Sequence, residues 1–160
     1  MKKSSKGFSL IELLIVVAII LIIAAIAIPN LLRSRIAANQ ASAVGSLRTL
    51  NTAEITYSST FNVGFTQTLG YLQPTAAGAN PTSTAAGLID SVLAGGSKSG
   101  YSFTYSPGQS DSTGRINTYS FTAVPITNST GTNYYFTDQS GVIRQNSTTT
   151  AASTDSPIAG

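Results

Sequence analysis

The feature that most constrains this chain is an unbroken apolar run close to the N-terminus. Every residue from 13 to 28 is apolar. A helix over residues 8–28 would be about 31 Å long at roughly 1.5 Å per residue, which matches the hydrocarbon core of a bilayer. The rest of the chain is too small to cover such a helix on all sides. We therefore predict a single membrane-spanning helix that needs either a lipid bilayer or copies of itself.

The basic residues of the chain are concentrated just before this run. Lys2, Lys3 and Lys6 supply three of its nine lysines and arginines, and without residues 1–7 the six remaining basic side chains balance six acidic ones. A basic cluster ahead of an apolar run places the N-terminus in the cytoplasm. The net charge of +3 therefore indicates membrane targeting, and we expect no specific nucleic-acid partner.

The composition excludes most catalytic and metal-binding chemistry. The chain has no histidine and no cysteine, so it can form neither a histidine-dependent nucleophile, nor a zinc site of the usual ligands, nor a disulfide. Residues 111–114 and 138–141 have the sequences of turns and lack the several spaced oxygen ligands of a calcium loop. We expect no enzymatic activity, no cofactor and no metal.

A second helical segment follows Pro29. The proline removes one backbone donor and its ring crowds the carbonyl of Ala25, so a kink or break is expected there. Residues 30–61 then show helical periodicity, with apolar residues on a single stripe. The members of that stripe are Ile36, Ala43, Leu47, Leu50, Tyr57 and Phe61. We predict one long helix, apolar all round in its first half and amphipathic in its second.

The remaining residues, 62–160, predict a small sheet. The pattern Tyr-x-Phe-Thr occurs at residues 101–104, 119–122 and 134–137, and alternation places Tyr and Phe on one face of a strand. A turn at residues 138–141 leads into a fourth strand at residues 142–144, and residues 88–93 form a short helix before two glycines. The fold class is α+β: a long N-terminal helix packed on a C-terminal antiparallel sheet of about four strands, with a loose tail from residue 147 to 160.

The sequence Lys-Gly-Phe-Ser-Leu-Ile-Glu-Leu-Leu-Ile-Val-Val-Ala-Ile-Ile at residues 6–20 resembles the prepilin signature of the type IV pilin superfamily, the type IVa branch most closely. The resemblance implies that a prepilin peptidase cuts after Gly7 and that the new N-terminal residue, Phe8, is N-methylated. Glu12 would be the fifth mature residue. The implied parts are a leader at residues 1–7, a transmembrane or filament-core half-helix at 8–29, an amphipathic half-helix at 30–61 and a globular αβ-loop and β-meander domain at 62–160.

Two positions depart from the family. Leu21 stands where many relatives have a glycine, within a segment that loses helical structure in filaments. Leucine favours a helix by about 1 kcal/mol relative to glycine. Many major pilins also close a C-terminal loop with a disulfide, which this chain lacks the cysteines to form. The hairpin at residues 138–141 would have to hold that end of the domain.

The resemblance implies a structural subunit of a type IV pilus. Its expected partners are copies of itself, the prepilin peptidase, the inner-membrane assembly machinery and, before assembly, the bilayer, which a single-pass precursor would span. The assembled protein would lie in a surface filament, in which Glu12 neutralises the α-amine of Phe8 and Pro29 bends the helix. One alternative is the major pseudopilin of a type II secretion system. An alternative from another class is an exported binding module, which is either anchored by its apolar helix or cleaved by signal peptidase near Ala27. An intramembrane charge such as Glu12 costs ~2.5–3.5 kcal/mol on insertion scales, which a plain signal peptide has no reason to tolerate.

Overall fold

A computed structural model describes residues 7–158 of the chain. The leader lysines and the last two residues, for which cytoplasmic placement and a loose tail were predicted, lie outside this range. The described residues form two compact units, one ending at Arg35 and the other beginning at Ile36. The apolar side chains of the long helix are exposed in the first unit, whereas several of them are buried in the second.

Helix α1 extends over Leu10–Phe61 and contains Pro29 without a break in its assignment. The predicted long helix is therefore confirmed, and the alternative of a break at the proline is wrong. A bend at Pro29 stays a prediction. In the first unit the large apolar side chains of α1 are exposed, and α1 is the one helix among the described residues that is long and apolar enough to cross a membrane.

A five-stranded antiparallel meander, in the order β1-β2-β3-β4-β5, forms the sheet of the second unit. Its strands are β1 at Ser97–Lys98, β2 at Tyr101–Pro107, β3 at Tyr119–Pro125, β4 at Tyr134–Asp138 and β5 at Arg144–Asn146. The α+β class is confirmed, with one short strand, β1, more than predicted. The fourth predicted strand begins two residues later than expected. A 3₁₀ turn at Leu69–Leu72 and helix α2 at Ser91–Ala94 precede the sheet.

The three Tyr-x-Phe-Thr motifs all form strands, but they do not face the core in the same way. Tyr101 and Phe103 in β2, like the Tyr and Phe of β3, are buried. In β4 the opposite face of the motif packs on the core, because Tyr135 and Thr137 are buried while Phe136 is only partly covered. Thr137 lies opposite Phe121 across the strand pair, and its hydroxyl accepts a hydrogen bond from the α1 side chain Asn51 at 2.8 Å. The face of β4 that packs on the core therefore includes a polar residue, Thr137, which is hydrogen-bonded to the helix.

The hydrophobic core of the second unit forms where the C-terminal half of α1 packs on the sheet. Four members of the predicted helical stripe are fully buried there, and Ile36 and Phe61 are half-buried. Aromatic rings fill the space behind them: Phe65 meets Tyr119 edge to face at 4.6 Å between ring centroids, and Tyr105 lies 4.9 Å from Phe121. Such pairs contribute about 0.5–1.5 kcal/mol beyond the burial of their area.

Glu54 is the main exception to the expected polarity of α1. A charged residue is seldom fully buried unless it is paired, yet the Glu54 side chain is 0% exposed. Its Oε2 accepts from the backbone N–H of Thr66 at 3.0 Å, and its Oε1 accepts from the Thr66 hydroxyl at 2.5 Å. The Tyr105 hydroxyl in turn donates to the Thr66 carbonyl at 2.6 Å. Glu54 therefore ties the segment after α1 to both the helix and the sheet.

No cation compensates this buried carboxyl. Within residues 7–158 the one ion pair joins Lys98 to Asp90. Burial raises the pKa of the Glu54 carboxyl above its usual value of 4.5, and the hydrogen bonds from Thr66 offset part of that rise. The tyrosine hydroxyls that face it, on Tyr105 and Tyr119, have their own pKa values raised by burial, so they stay neutral at ordinary pH.

The C-terminal segment is ordered by the sheet, so the predicted loose tail is wrong for residues 151–158. Ala151 is buried. The Gln145 N–H donates to the Ser156 carbonyl at 3.0 Å, and the Ile158 N–H donates to the Ile143 carbonyl at 2.9 Å, which adds this segment to the edge beside β5. The turn at residues 138–141 is confirmed as the hairpin leading to that edge.

Asp155 is the polar centre of this C-terminal closure. Its Oδ1 accepts from the Asn146 side chain at 3.0 Å and its Oδ2 from the Ala152 N–H at 2.7 Å, while its backbone carbonyl accepts from Arg144 at 2.9 Å. These bonds close the 147–155 loop in a chain that has no cysteine.

We predict that stability falls with rising pH because of Glu54. A folded-state pKa above the unfolded value means that the folded state holds the proton more tightly, so this contribution is complete below about pH 4.5 and is lost as the pH rises through the folded pKa. Urea unfolding of a chain truncated to residues 30–160, followed by tyrosine circular dichroism between pH 4 and 8, measures the slope.

Glu54→Gln keeps an acceptor and a donor for Thr66 and should flatten that slope. Glu54→Leu is the matched control: it also removes the titration but leaves the Thr66 N–H without its partner, so it should lower stability at every pH. A Glu54→Gln protein with the wild-type pH slope would contradict this account of Glu54.

A second prediction concerns the C-terminal closure. Asp155→Ala removes the acceptor of the exposed Ala152 N–H and of the half-buried Asn146 side chain, which water can then hydrate, so it should cost about 0.5–1.5 kcal/mol of unfolding free energy. Hydrogen exchange should rise selectively across residues 151–158, and Thr154→Ala, which changes an exposed neighbour, is the control. Unchanged protection in Asp155→Ala would show that Ala151 and the edge pairing hold the segment without it.

Candidate processing and assembly site

The predicted cleavage position lies just ahead of α1, in residues that belong to no helix or strand. Gly7 is exposed, and a Cβ added to it would meet nothing within 4 Å. Phe8 is 76% exposed. Both residues that flank the predicted scissile bond are therefore accessible within the described part of the chain.

The start of α1 is fixed by Ser9 and Glu12. The Leu13 N–H donates to the Ser9 carbonyl at 3.2 Å, which makes Ser9 the residue that caps the helix. Glu12 Oε2 accepts from the Ser9 backbone N–H at 2.9 Å. This is the backward half of a capping box, in which the carboxylate three residues into the helix satisfies an otherwise unpaired donor. Sequence reasoning missed Ser9, although the spacing Ser-x-x-Glu is a local pattern that predicts such a cap.

Glu12 is the one charged residue between Phe8 and Asn30. Its neighbours Ile11 and Leu13 are largely exposed apolar side chains. The helix macrodipole favours a carboxylate in the first turn by about 0.3–1 kcal/mol, and the Ser9 hydrogen bond adds to that. The macrodipole gain alone is smaller than the ~2.5–3.5 kcal/mol cost of a charge at the centre of a bilayer.

Pro29 is not brought together with the other three predicted residues. It lies 17 residues beyond Glu12 on the same helix, or about 25 Å at 1.5 Å per residue. Its neighbours Ile28 and Leu31 are exposed. The predicted site is therefore a helix terminus formed by Gly7, Phe8 and Glu12, with Pro29 as a separate feature.

Within residues 7–158 no group of three or more acidic, histidine or cysteine side chains has the arrangement of a metal site. The helix terminus offers two exposed residues, Gly7 and Phe8, and one carboxylate, that of Glu12.

Comparison with known proteins agrees with this geometry. Residues 2–28 match the prokaryotic N-terminal methylation motif. A stretch of 50 residues is 52% identical to the type IV major pilin protein PilA of Myxococcus xanthus and covers 31% of this chain and 23% of that protein. A stretch of 37 residues is 65% identical to the type IV wide pilus major component PilA4 of Thermus thermophilus and covers 23% of this chain and 28% of that protein.

These matches confirm the resemblance to type IV pilins, and the methylation motif places part of it at residues 2–28. The matched stretches span about a quarter of the length of either relative. No solved structure matches the chain significantly.

Proposed function

We propose that this protein is a structural subunit of a type IV pilus, made as a membrane prepilin and polymerised into a surface filament. The observation that carries the proposal is the start of a continuous, exposed apolar helix directly after an accessible Gly7–Phe8 bond. Both curated relatives are named as pilus components, which favours a pilus over a secretion pseudopilus and over an exported binding module.

The exposed apolar surface requires partners. Seventeen large apolar side chains between Phe8 and Leu32 are at least 44% exposed. Full burial of one such side chain is worth about 1.5–3 kcal/mol, so covering these half-exposed groups stabilises the protein by on the order of 10 kcal/mol or more. A bilayer supplies that cover for the precursor in the inner membrane, and the same helices of other subunits supply it in the filament.

Processing at Gly7 creates the assembly-competent N-terminus. A prepilin peptidase cuts after Gly7, and the α-amine of Phe8, once methylated, remains positively charged. The protein is thus the substrate of an enzyme and acts as a building block. The methylation motif over residues 2–28 supports this step.

Glu12 then has two roles that its carboxylate can serve together. One oxygen caps the Ser9 N–H, and the other is available to the α-amine of Phe8 in the same or a neighbouring subunit. In a low-dielectric filament core an unpaired charge is strongly unfavourable, whereas the pair neutralises itself. The pairing therefore selects the axial register in which each amine meets a Glu12. Pro29 contributes a local gap in the hydrogen bonding of α1, at which the helix can bend on assembly.

We predict that Gly7→Trp traps the precursor in the inner membrane. The bulky side chain occupies the position at which the peptidase must approach the backbone, while the exposed, contact-free setting of Gly7 means that the fold itself is unaffected. Immunoblots of membrane and sheared-filament fractions measure the result, with Ser5→Trp in the leader as the control. Normal processing of Gly7→Trp would contradict the assignment of the cleavage site.

We predict that Glu12→Leu leaves membrane insertion and cleavage intact but removes the filament. Glu12→Gln separates the two roles, since the amide oxygen can still cap Ser9 but carries no charge. Both variants should reduce filament yield at least about tenfold if the charge pair is required, which corresponds to about 1.4 kcal/mol. Wild-type yield from Glu12→Gln, in a strain without the unaltered subunit, would leave capping as the only role of Glu12.

A further inference from the structure

The second unit carries a surface recess of about 270 Å³ on the side of α1 where the helix ends. It lies between the segment after α1, the turn at residues 82–85 and residues 114–116, which include the end of the turn at residues 111–114. The following residues line it: Tyr57, Val63, Phe65, Gln67, Tyr71, Ser83, Thr84, Gly114 and Ile116. None of them has been used in the account of processing and assembly.

The walls of this recess are fixed before any ligand arrives. The Phe65 N–H donates to the Ile116 carbonyl at 2.8 Å, and Gly64 approaches the same residue so closely, with φ +87°, that a Cβ would lie 2.5 Å from the Ile116 oxygen. The Tyr57 hydroxyl donates to the Ser83 carbonyl at 2.7 Å and so links α1 to the turn at residues 82–85. Glu54 holds Thr66, which lies between the lining residues Phe65 and Gln67. A preformed site loses little entropy on binding.

The lining combines aromatic rings with neutral hydrogen-bonding groups. The lining residues Tyr71 and Phe65 are half-buried, and the lining residue Gln67 is exposed. Within residues 7–158 the Gln67 amide and the Tyr71 hydroxyl make no hydrogen bond, and both are therefore available to a ligand. No lining side chain is charged, and the neighbouring Arg115 side chain is directed to Asn62.

We propose that this recess binds a single neutral sugar unit, free or at the end of a polysaccharide. A pyranose ring has an apolar C–H face that stacks on an aromatic ring and equatorial hydroxyls that need donors and acceptors at the rim, and the lining supplies both. The absence of a lining cation disfavours acidic sugars and phosphates, and the polar rim disfavours a purely apolar ligand. The volume lies just below the usual 300–1,000 Å³ of ligand pockets, which limits the ligand to about one ring.

The experiment is saturation-transfer NMR on the full chain, held in a phosphocholine detergent because sugar-based detergents would compete. The probes are the methyl glycosides of glucose, galactose, mannose and N-acetylglucosamine, with glucuronate as the acidic counterpart of glucose. We expect millimolar binding of at least one neutral glycoside, with the strongest transfer to protons on one ring face, and weaker binding of glucuronate than of glucose.

Two variants locate the site. Tyr71→Ala removes a ring and Gln67→Ala removes an exposed amide, and each should weaken binding by about fivefold to tenfold. Tyr134→Ala, which truncates another half-buried tyrosine that does not line the recess, is the matched control and should bind normally. Because Gln67 is exposed, its variant stays folded even if Tyr71→Ala does not.

Three results would overturn the proposal: no transfer to any neutral glycoside at about 20 mM, tighter binding of glucuronate than of glucose, or equal binding by the wild type and Gln67→Ala. A recess that binds no sugar but becomes protected from exchange when filaments form would instead be a contact between copies. The outcome is independent of the proposed pilus function, since the probe is the dispersed protein.

Discussion

The rest of the molecule depends on one constraint: α1 carries, along residues 8–32, far more apolar surface than the described chain covers. Ile15, Ile20 and Leu21 are more than half exposed, and so are most of their neighbours. Water cannot be the final environment of such a surface. A bilayer and a bundle of identical helices are two environments that satisfy it, and we propose that cleavage of the Gly7–Phe8 bond ahead of the helix is the chemical step between them.

The second unit, in contrast, buries its apolar side chains within a small domain that has no cysteines. The C-terminal half of α1 serves as one layer of the core and the meander as the other. Buried polar contacts then fix how the layers meet: Asn51 reaches Thr137 in β4, and Glu54 holds the chain that leaves the helix. Asp155 closes the far end by hydrogen bonds. The domain thus replaces a covalent closure with several directional contacts, each of which is individually modest.

Local patterns predicted much of this fold. The periodicity of α1 and the three Tyr-x-Phe-Thr motifs identified the long helix and the central strands, because burial on one face imposes a period that the sequence must show. The reversed face of β4 and the burial of Glu54 were not predictable in that way. Each depends on a partner more than ten residues away, Asn51 for Thr137 and Thr66 for Glu54, and periodicity carries no information about such pairs. Asp155 was missed although the partners of its carboxylate, Ala152 and Asn146, lie three and nine residues away, because hydrogen bonds within an irregular loop leave no periodic pattern. The cap at Ser9 was local and readable. For the candidate site, the sequence placed Gly7, Phe8 and Glu12 at the start of the helix, but their roles rest on assembly with other copies.

The central claim is that the apolar half of α1, freed at Phe8, is the assembly surface of a filament. The most direct measurement is mass spectrometry of fibres sheared from cells that produce the protein. The account predicts fibres whose subunit begins at an N-methylated Phe8 and retains the whole apolar segment. A subunit that begins near Ile28, or one that retains residues 1–7 in the assembled fibre, would contradict it.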